Sequence, residues 1–302
     1  MTIRYDDRVA IVTGAGAGLG RCHALLLGSR GAKVVVNDLG GAVDGTGGSA
    51  SAADKVVEEI RAAGGEAVAN YDSVDTPESA ANIVKTATDA FGKVDILVNN
   101  AGILRDKSFA KVSMADFEAV IRVHLMGSVY CTHAAWPIMG ENGYGRIVMT
   151  TSASGLYGNF GQSNYAAAKM ALVGFMNALK LEGQKNNIKI NTIAPVATTR
   201  MTESLMPDEA NKLLQPEFVS AMVAYFCSEE CEHTGDTVEA GAGHYAAVQI
   251  VEGAGVSFGT GTDVTPDMIH SRYAEIRDIG AAKPFVNSSD AVAKVLQAAT
   301  AG

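Results

Sequence analysis

Five apolar or β-branched residues, Val9-Ala-Ile-Val-Thr13, run straight into Gly-Ala-Gly-Ala-Gly-Leu-Gly20, and an amphipathic stretch follows at once. Few folds accept that order. The first run suits an extended backbone, the glycines permit a turn too tight for side chains, and the residues from Leu19 onward have helical spacing. A strand, a glycine turn and a helix N-terminus together make an anion site, because the free N–H groups and the dipole of the helix face whatever lies at the turn. In that frame Gly14 permits the turn, Gly18 lets a pyrophosphate approach the backbone, and Gly20 lets helix and strand pack closely. The chain opens on what reads as a dinucleotide-binding unit.

The same alternation continues. Residues 9–13, 33–38, 67–71, 94–99, 146–152 and 188–193 read as strands, and residues 19–30, 51–63, 77–91, 114–137 and 164–185 as helices. Nearly continuous apolar strands separated by helices predict an α/β fold, a Rossmann-type doubly wound parallel sheet covered on both faces. Residues 39–49 hold five glycines and read as a flexible surface loop. From Val238 the rhythm breaks. Residues 237–239 suit a last short strand, residues 244–257 further extended structure, and residues 266–278 and 289–299 two short helices. We expect a Rossmann domain over 1–250 and a C-terminal segment over 251–302. That segment is too short for a domain of its own, and is expected to pack on the core as a substrate cap or dimer contact.

The chemistry lies in the second half. Tyr165 and Lys169 stand one helical turn apart, thirteen and seventeen residues after Ser152. An ammonium beside a phenol favours the phenolate and should draw its pKa down from about 10. A serine hydroxyl near that oxygen can hold a substrate hydroxyl or carbonyl. With a dinucleotide site, this set implies hydride transfer. Asp38 ends the second strand, where a carboxylate accepts hydrogen bonds from the adenosine ribose and repels a 2′-phosphate; NAD is the cofactor expected. Asp38 could alternatively serve as a turn cap. Asp72 and Ser73 end the third strand, where an adenine edge would lie, with Asp72 a candidate cap for the helix at Pro77. Asn99, Ala101 and Gly102 end the fourth, where small residues leave room for a flat ring. His124, alone on an apolar helix face, reads as structural.

A net charge of −9 and no run of Lys or Arg argue against nucleic acid or an anionic membrane as the partner. Cys22, Cys131, Cys227 and Cys231 have no Cys-x-x-Cys spacing, with Cys227 and Cys231 expected on one helix, and no His, Cys or acidic cluster has metal-ligand spacing; no metal is expected. No apolar run reaches membrane-spanning length, no signal peptide opens the chain and no address closes it. The location expected is cytoplasmic.

Thr13–Gly20, Asn99-Asn-Ala-Gly102, Ser152 and Tyr165-Ala-Ala-Ala-Lys169 resemble the short-chain dehydrogenase/reductase superfamily over roughly the first 240 residues. Asn37-Asp-Leu-Gly-Gly41, Asn100-Ala-Gly-Ile-Leu-Arg-Asp-Lys-Ser-Phe109, Ala134-Ala-Trp-Pro137, Ser152-Ala-Ser-Gly-Leu-Tyr-Gly-Asn-Phe-Gly-Gln162 and Val238-Glu-Ala-Gly-Ala-Gly243 narrow the resemblance. They look like the (3R)-hydroxyacyl-CoA dehydrogenase unit of peroxisomal multifunctional enzyme type 2. The resemblance implies Tyr165 as acid–base group, Ser152 as substrate positioner and Lys169 as ribose ligand. Gly14, Gly18, Leu19, Gly20, Asp38, Asp72, Ser73, Asn99, Ala101, Gly102, Tyr165, Lys169, Pro195 and Thr198 would line the NAD site, Thr198 at the carboxamide. His124 stands where most members carry a catalytic Asn, and Pro195-Val-Ala-Thr-Thr199 replaces the usual Pro-Gly. A homodimer, or a tetramer, is implied, acting on a small molecule. Oxidation of (3R)-3-hydroxyacyl-CoA leads, with a 17β-type hydroxysteroid or cyclic alcohol as the alternative. Lys107 and Arg200 are candidates for a basic rim around CoA phosphates. The end at Gly302 predicts a stand-alone enzyme supplied by a separate hydratase.

Overall fold

The computed structural model describes residues 2–198 and 208–300. The first strand, β1 (Val9–Thr13), is buried along its whole length and pairs in parallel with β2 (Lys33–Asn37) on one side and β4 (Ile96–Asn99) on the other. Outward from these lie β3 (Glu66–Asn70), β5 (Gly145–Thr150), β6 (Ile188–Pro195), β7 (Thr237–Gly241) and β8 (His244–Val248), in the order 3-2-1-4-5-6-7-8. The order reverses between β1 and β4. A crevice opens at such a switch point, outside the carboxyl ends of the strands. The expected doubly wound sheet is observed. It gains one strand, because Ala242 and Gly243, both with positive φ, form a two-residue turn from β7 into β8.

Alternate side chains enter opposite layers. Ala10, Val12, Val34, Val36, Ile96 and Val98 pack in one core with α1 (Gly18–Ser29), α2 (Ser51–Ala62) and α9 (Pro216–Cys227), whereas Val9, Ile11, Val35, Leu97 and Ile147 pack in the other. The second layer is covered by α3 (Pro77–Phe91), α5 (Gly127–Asn142) and α7 (Ser163–Glu182). Helix α3 starts and stops where its residues dictate. Thr76 accepts the Ser79 amide at 3.2 Å, Pro77 occupies the first turn, and Gly92 ends the helix at φ 82°.

The helix expected over 114–137 is not uniform. Helix α4 (Met114–Ile121), capped by Ser113, passes into a π-helical turn over Arg122–Met126 before α5 begins. The extra residue re-phases the two helices, and the carbonyl of His124 accepts the Ser128 hydroxyl at 2.7 Å. A short helix, α6 (Ala153–Tyr157), follows β5, and α8 (Asp208–Leu213) precedes α9. Helix α9 ends at Cys227, so Cys231 lies beyond it rather than on it; all four thiols are unpaired.

The chain divides into two compact units, 1–247 and 248–302. The second contains α10 (Pro266–Ser271), α11 (Tyr273–Ile276), α12 (Ser288–Thr300) and one antiparallel bridge between Glu252 and Lys283. None of its described residues is buried. Among the described residues, no helix is long and apolar enough to cross a membrane, and no group of three or more His, Cys, Asp or Glu could hold a metal.

Candidate active site

The strand order brings the carboxyl ends of β1 to β6 to one edge, where Gly14, Asp38, Asp72, Asn99, Gly102, Ser152 and Pro195 close or follow the strands. The glycine turn is packed against the segment after β4. Gly14 has φ 64°, and a Cβ there would lie 2.8 Å from the Cα of Ala101; a Cβ on Gly20 would lie 2.2 Å from the carbonyl oxygen of Gly14. Gly18, φ 54°, opens α1, and Leu19 packs on the first core. Thr13 and Asn100 fasten this crossing. Thr13 Oγ1 accepts the amides of Asn100 and Ala101 at 3.1 Å each, and Asn100 Nδ2 donates to the carbonyls of Thr13 and Gly14 at 3.0 and 3.1 Å. Asn99 instead turns into the core, where it donates to Thr132 Oγ1 at 3.1 Å. Asn100, which the sequence does not distinguish from its neighbour, thus makes the bridge to the glycine turn.

Asp38 is half-buried with one oxygen on the amide of Gly16 (2.7 Å) and the other on the amide of Gly40 (2.6 Å). The second bond is the turn cap that stood as the alternative; the first ties the carboxylate to the glycine turn. Gly16 is required for that approach, since a Cβ would lie 2.8 Å from Asp38 Cγ. A carboxylate has about four lone-pair sites, so two remain for ribose hydroxyls. Asp72 does not cap α3, a position held by Thr76. Its carboxylate accepts from Asn70 Nδ2 at 2.9 Å, and its carbonyl accepts Asn37 Nδ2 at 2.8 Å. Ser73 lies beside it, half-buried, accepting the Asp75 amide at 3.4 Å. Asp38 and Asp72 thus place two carboxylates at the ends of β2 and β3, the acceptors that the hydroxyls of an adenosine would need.

At the other end, Ser152 is the N-cap of α6, and its Oγ accepts the Ser154 amide at 3.1 Å. The Ser152 hydroxyl also faces Tyr165 closely enough to draw its pKa down. Lys169, 3% exposed, donates from Nζ to the carbonyl of Thr150 at 2.6 Å and lies 5.5 Å from the centre of the Tyr165 ring. Helices α6 and α7 meet at Gly155, where a Cβ would lie 2.8 Å from Lys169 Cβ. The protonation balance differs from expectation. Burial pushes Tyr165 above its ordinary value, against the lowering pull of Ser152, and drives Lys169 down to about 7. Desolvation outweighs the help of Ser152, and the charge of Asp106 adds to the rise.

His124 is buried, and its ring meets that of Tyr165 edge-on with centroids 5.1 Å apart. Its Nε2 lies 2.7 Å from the carbonyl and 3.0 Å from the amide of Ile103, while Nδ1 has no partner. Burial and the neighbouring Lys169 hold it well below the ordinary histidine range, hence neutral. The space it fills exists because residue 102 is glycine: a Cβ would lie 2.2 Å from His124 Cε1. The apolar-face reading missed this position beside Tyr165; the π-helical turn that aims the ring inward leaves no clear pattern in a sequence.

Pro195 closes β6 opposite Ala240. Thr198 donates its amide to Leu214 (2.7 Å), and its hydroxyl donates to Asn211 Oδ1 (3.0 Å). Thr199 and Arg200 lie outside the described residues. Lys107 sits 3.5 Å from Asp116, which also takes Arg105 at 3.2 Å, so two cations share one carboxylate.

A glycine crossing at the switch point and a Ser–Tyr–Lys cluster opposite it define the class. The chain belongs to the short chain dehydrogenase family, matched over residues 8–210, and is an oxidoreductase. Within it, peroxisomal multifunctional enzyme A of Dictyostelium discoideum is 50% identical over 99% of this chain and 66% of its own length. A short-chain type dehydrogenase/reductase of Mycobacterium tuberculosis is 53% identical over 92% of this chain and 96% of its own. The full-length peroxisomal multifunctional enzyme type 2 of Drosophila melanogaster superposes with a TM-score of 0.84 at 42% identity, covering 99% of this chain and 50% of that one. A 7α-hydroxysteroid dehydrogenase solved with NADH and 7-oxo glycochenodeoxycholic acid gives 0.72 at 31% identity, covering 80% and 95%. The chain thus spans two-thirds or less of the multifunctional relatives.

Proposed function

We propose that this chain oxidises (3R)-3-hydroxyacyl-CoA to 3-oxoacyl-CoA with NAD. The observation that carries the reading is Tyr165 with Ser152 acting on its hydroxyl and buried Lys169 5.5 Å from its ring, in a chain half-identical to multifunctional enzymes. NAD, when bound, supplies the acceptor for the hydride that leaves C3. Tyr165, as phenolate, takes the hydroxyl proton through Oη. Ser152 Oγ holds the oxygen as it becomes a carbonyl, which fixes the reacting carbon in place. Lys169 would hold the nicotinamide ribose and, when charged, favour the phenolate. Asp38 supports NAD over its 2′-phosphorylated form through charge repulsion.

A hydroxysteroid substrate is the second reading, supported by the 7α-hydroxysteroid dehydrogenase likeness. NADH formation with (3R)- and (3S)-hydroxyacyl-CoA and a 17β-hydroxysteroid, offered side by side, separates them. Turnover of the (3R) thioester alone is expected; turnover of the steroid alone overturns the substrate class. The same reading makes the chain a homodimer whose residues 251–302 serve as substrate cap or dimer contact. Truncation at Gly253 should then weaken substrate binding or dimerisation while leaving NADH binding intact, and an unchanged dimer with normal turnover would remove that assignment.

A further inference from the structure

The glycine-rich segment after β2 is tied down. At its neck the amide of Ser49 donates to the carbonyl of Leu39 (3.0 Å), and Asp38 holds the amide of Gly40. Gly40 cannot be replaced there, since a Cβ would lie 1.9 Å from the carbonyl oxygen of Ser49. Inside the loop, Ala42 donates to Thr46 (2.8 Å), and Asp44 Oδ1 accepts the Thr46 amide and hydroxyl (3.0 and 2.7 Å). At its tip the carbonyl of Val43 accepts the Leu104 amide (3.0 Å), and the carbonyl of Asp44 accepts Arg105 Nε (3.0 Å). Gly45 touches Ile103 so closely that a Cβ would lie 2.9 Å from it.

The loop leaves the end of β2 and lands on the segment that follows β4. The strand between them is β1, so the loop spans the glycine turn. Its landing post is rigid. Arg105 is ion-paired to Asp116 on α4, and its carbonyl accepts Asn164 Nδ2 (3.2 Å), whose Oδ1 in turn accepts the Tyr165 amide (2.8 Å).

We propose that residues 39–49 form a strap across the cofactor cleft, latched by Arg105, and that dinucleotide enters and leaves only when the latch opens. The inference rests on the dinucleotide reading above: a ligand reaching from Asp38 to Tyr165 must pass between strap and glycine turn. A gate differs from a ligand contact in kinetics. Weakening a contact raises the dissociation rate alone, whereas unlatching a gate raises association and dissociation together and changes Kd less than either.

Stopped-flow NADH fluorescence on the wild type, Arg105→Met and Gly45→Ala decides. Arg105→Met keeps the aliphatic stem but removes the bonds to Asp44 and Asp116; Gly45→Ala pries the tip from Ile103 and leaves Arg105 in place. Both should raise the two rate constants, by about tenfold for the loss of one charge-assisted hydrogen bond. Amide exchange on the cofactor-free protein gives a second readout: Leu104 and Ser49 should be protected in the wild type and faster in both variants. NADH binding with unchanged rate constants, or a rise in dissociation alone, overturns the strap. Failure of the wild type to bind NADH overturns the dinucleotide reading and the strap with it.

Discussion

Along the carboxyl edge of the sheet, the half of the cleft at β1 and β2 is made of backbone approaching backbone, whereas the half at β5 and α7 is made of side chains buried against their protonation preferences. In the first, Gly14, Gly16 and Gly20 hold space that one methyl group would fill, and the polar partners are main-chain amides of Gly16 and Gly40. In the second, Lys169 and Tyr165 are both shifted toward their neutral forms by burial. The contrast suits two tasks. Backbone space admits a large ligand with little discrimination by side chain, and titratable groups out of water are poised to exchange a proton. Changes in one half should thus affect binding and in the other chemistry.

The largest separation is expected from Tyr165→Phe, which removes the acid–base oxygen and nothing else. Turnover should fall by roughly 10³-fold, in the range for loss of a general acid or base, while NADH titration gives an unchanged Kd. Near-normal turnover would dissolve the division between the halves. The converse is Gly20→Ala. Its Cβ would press on the Gly14 carbonyl and Asn100 Nδ2, costing about 1–3 kcal/mol as an overpacked site does and abolishing NADH binding. Thermal denaturation and the same titration measure both.

A smaller effect distinguishes the halves by pH. On the proposed mechanism oxidation requires the Tyr165 phenolate, and Tyr165 is raised above its ordinary value. The rate of alcohol oxidation should therefore still be climbing at pH 9, and Lys169→Met should leave that rise in place, because an amine drawn down to about 7 is already neutral there. A plateau reached by pH 7 would mean that the tyrosine is not the group titrated.

The smallest expected effect concerns stability behind the glycine turn. His23 on α1 lies fully buried, Nδ1 on Ser220 Oγ at 2.7 Å and Nε2 without a partner, and burial lowers it to about 3. The folded state favours the neutral ring. Stability is thus complete above the ordinary histidine range near 6.5 and falls as pH drops from there towards 3, by at most about 1.4 kcal/mol per pH unit. His23→Asn, which keeps a partner for Ser220, should flatten that slope in denaturant titrations; an equal slope would assign the loss to other groups such as His124.

Much of this was legible. Strand β1 and helix α3 fall on their expected bounds, because an all-apolar run and a Thr-Pro start with a glycine stop are strong local signals. The site residues lie together because alternation alone implies a parallel sheet, and a parallel sheet collects its strand ends on one edge. What was not legible depends on non-local contact. Residues 39–49 have the composition of a loose loop, and the non-local bonds Val43–Leu104 and Asp44–Arg105 fasten their tip. Asn99 and Asn100 are chemically identical; which one faces the glycine turn is set by strand alternation meeting Thr13. Lys169 was expected to dominate the tyrosine, but the cost of desolvation depends on a burial that no spacing reveals.

The π-helical turn at Arg122–Met126 holds one residue more than an α-helical turn needs. This is a local reserve of chain length. Losing a single residue there would let α4 run into α5 as one ordinary helix, but would rotate every side chain on one side of the deletion by about 100°. His124 would then swing off Ile103, and Tyr165 would lose its edge-on neighbour. Between Ser113 and Gly143, then, substitutions at exposed positions should be borne far better than any change in length.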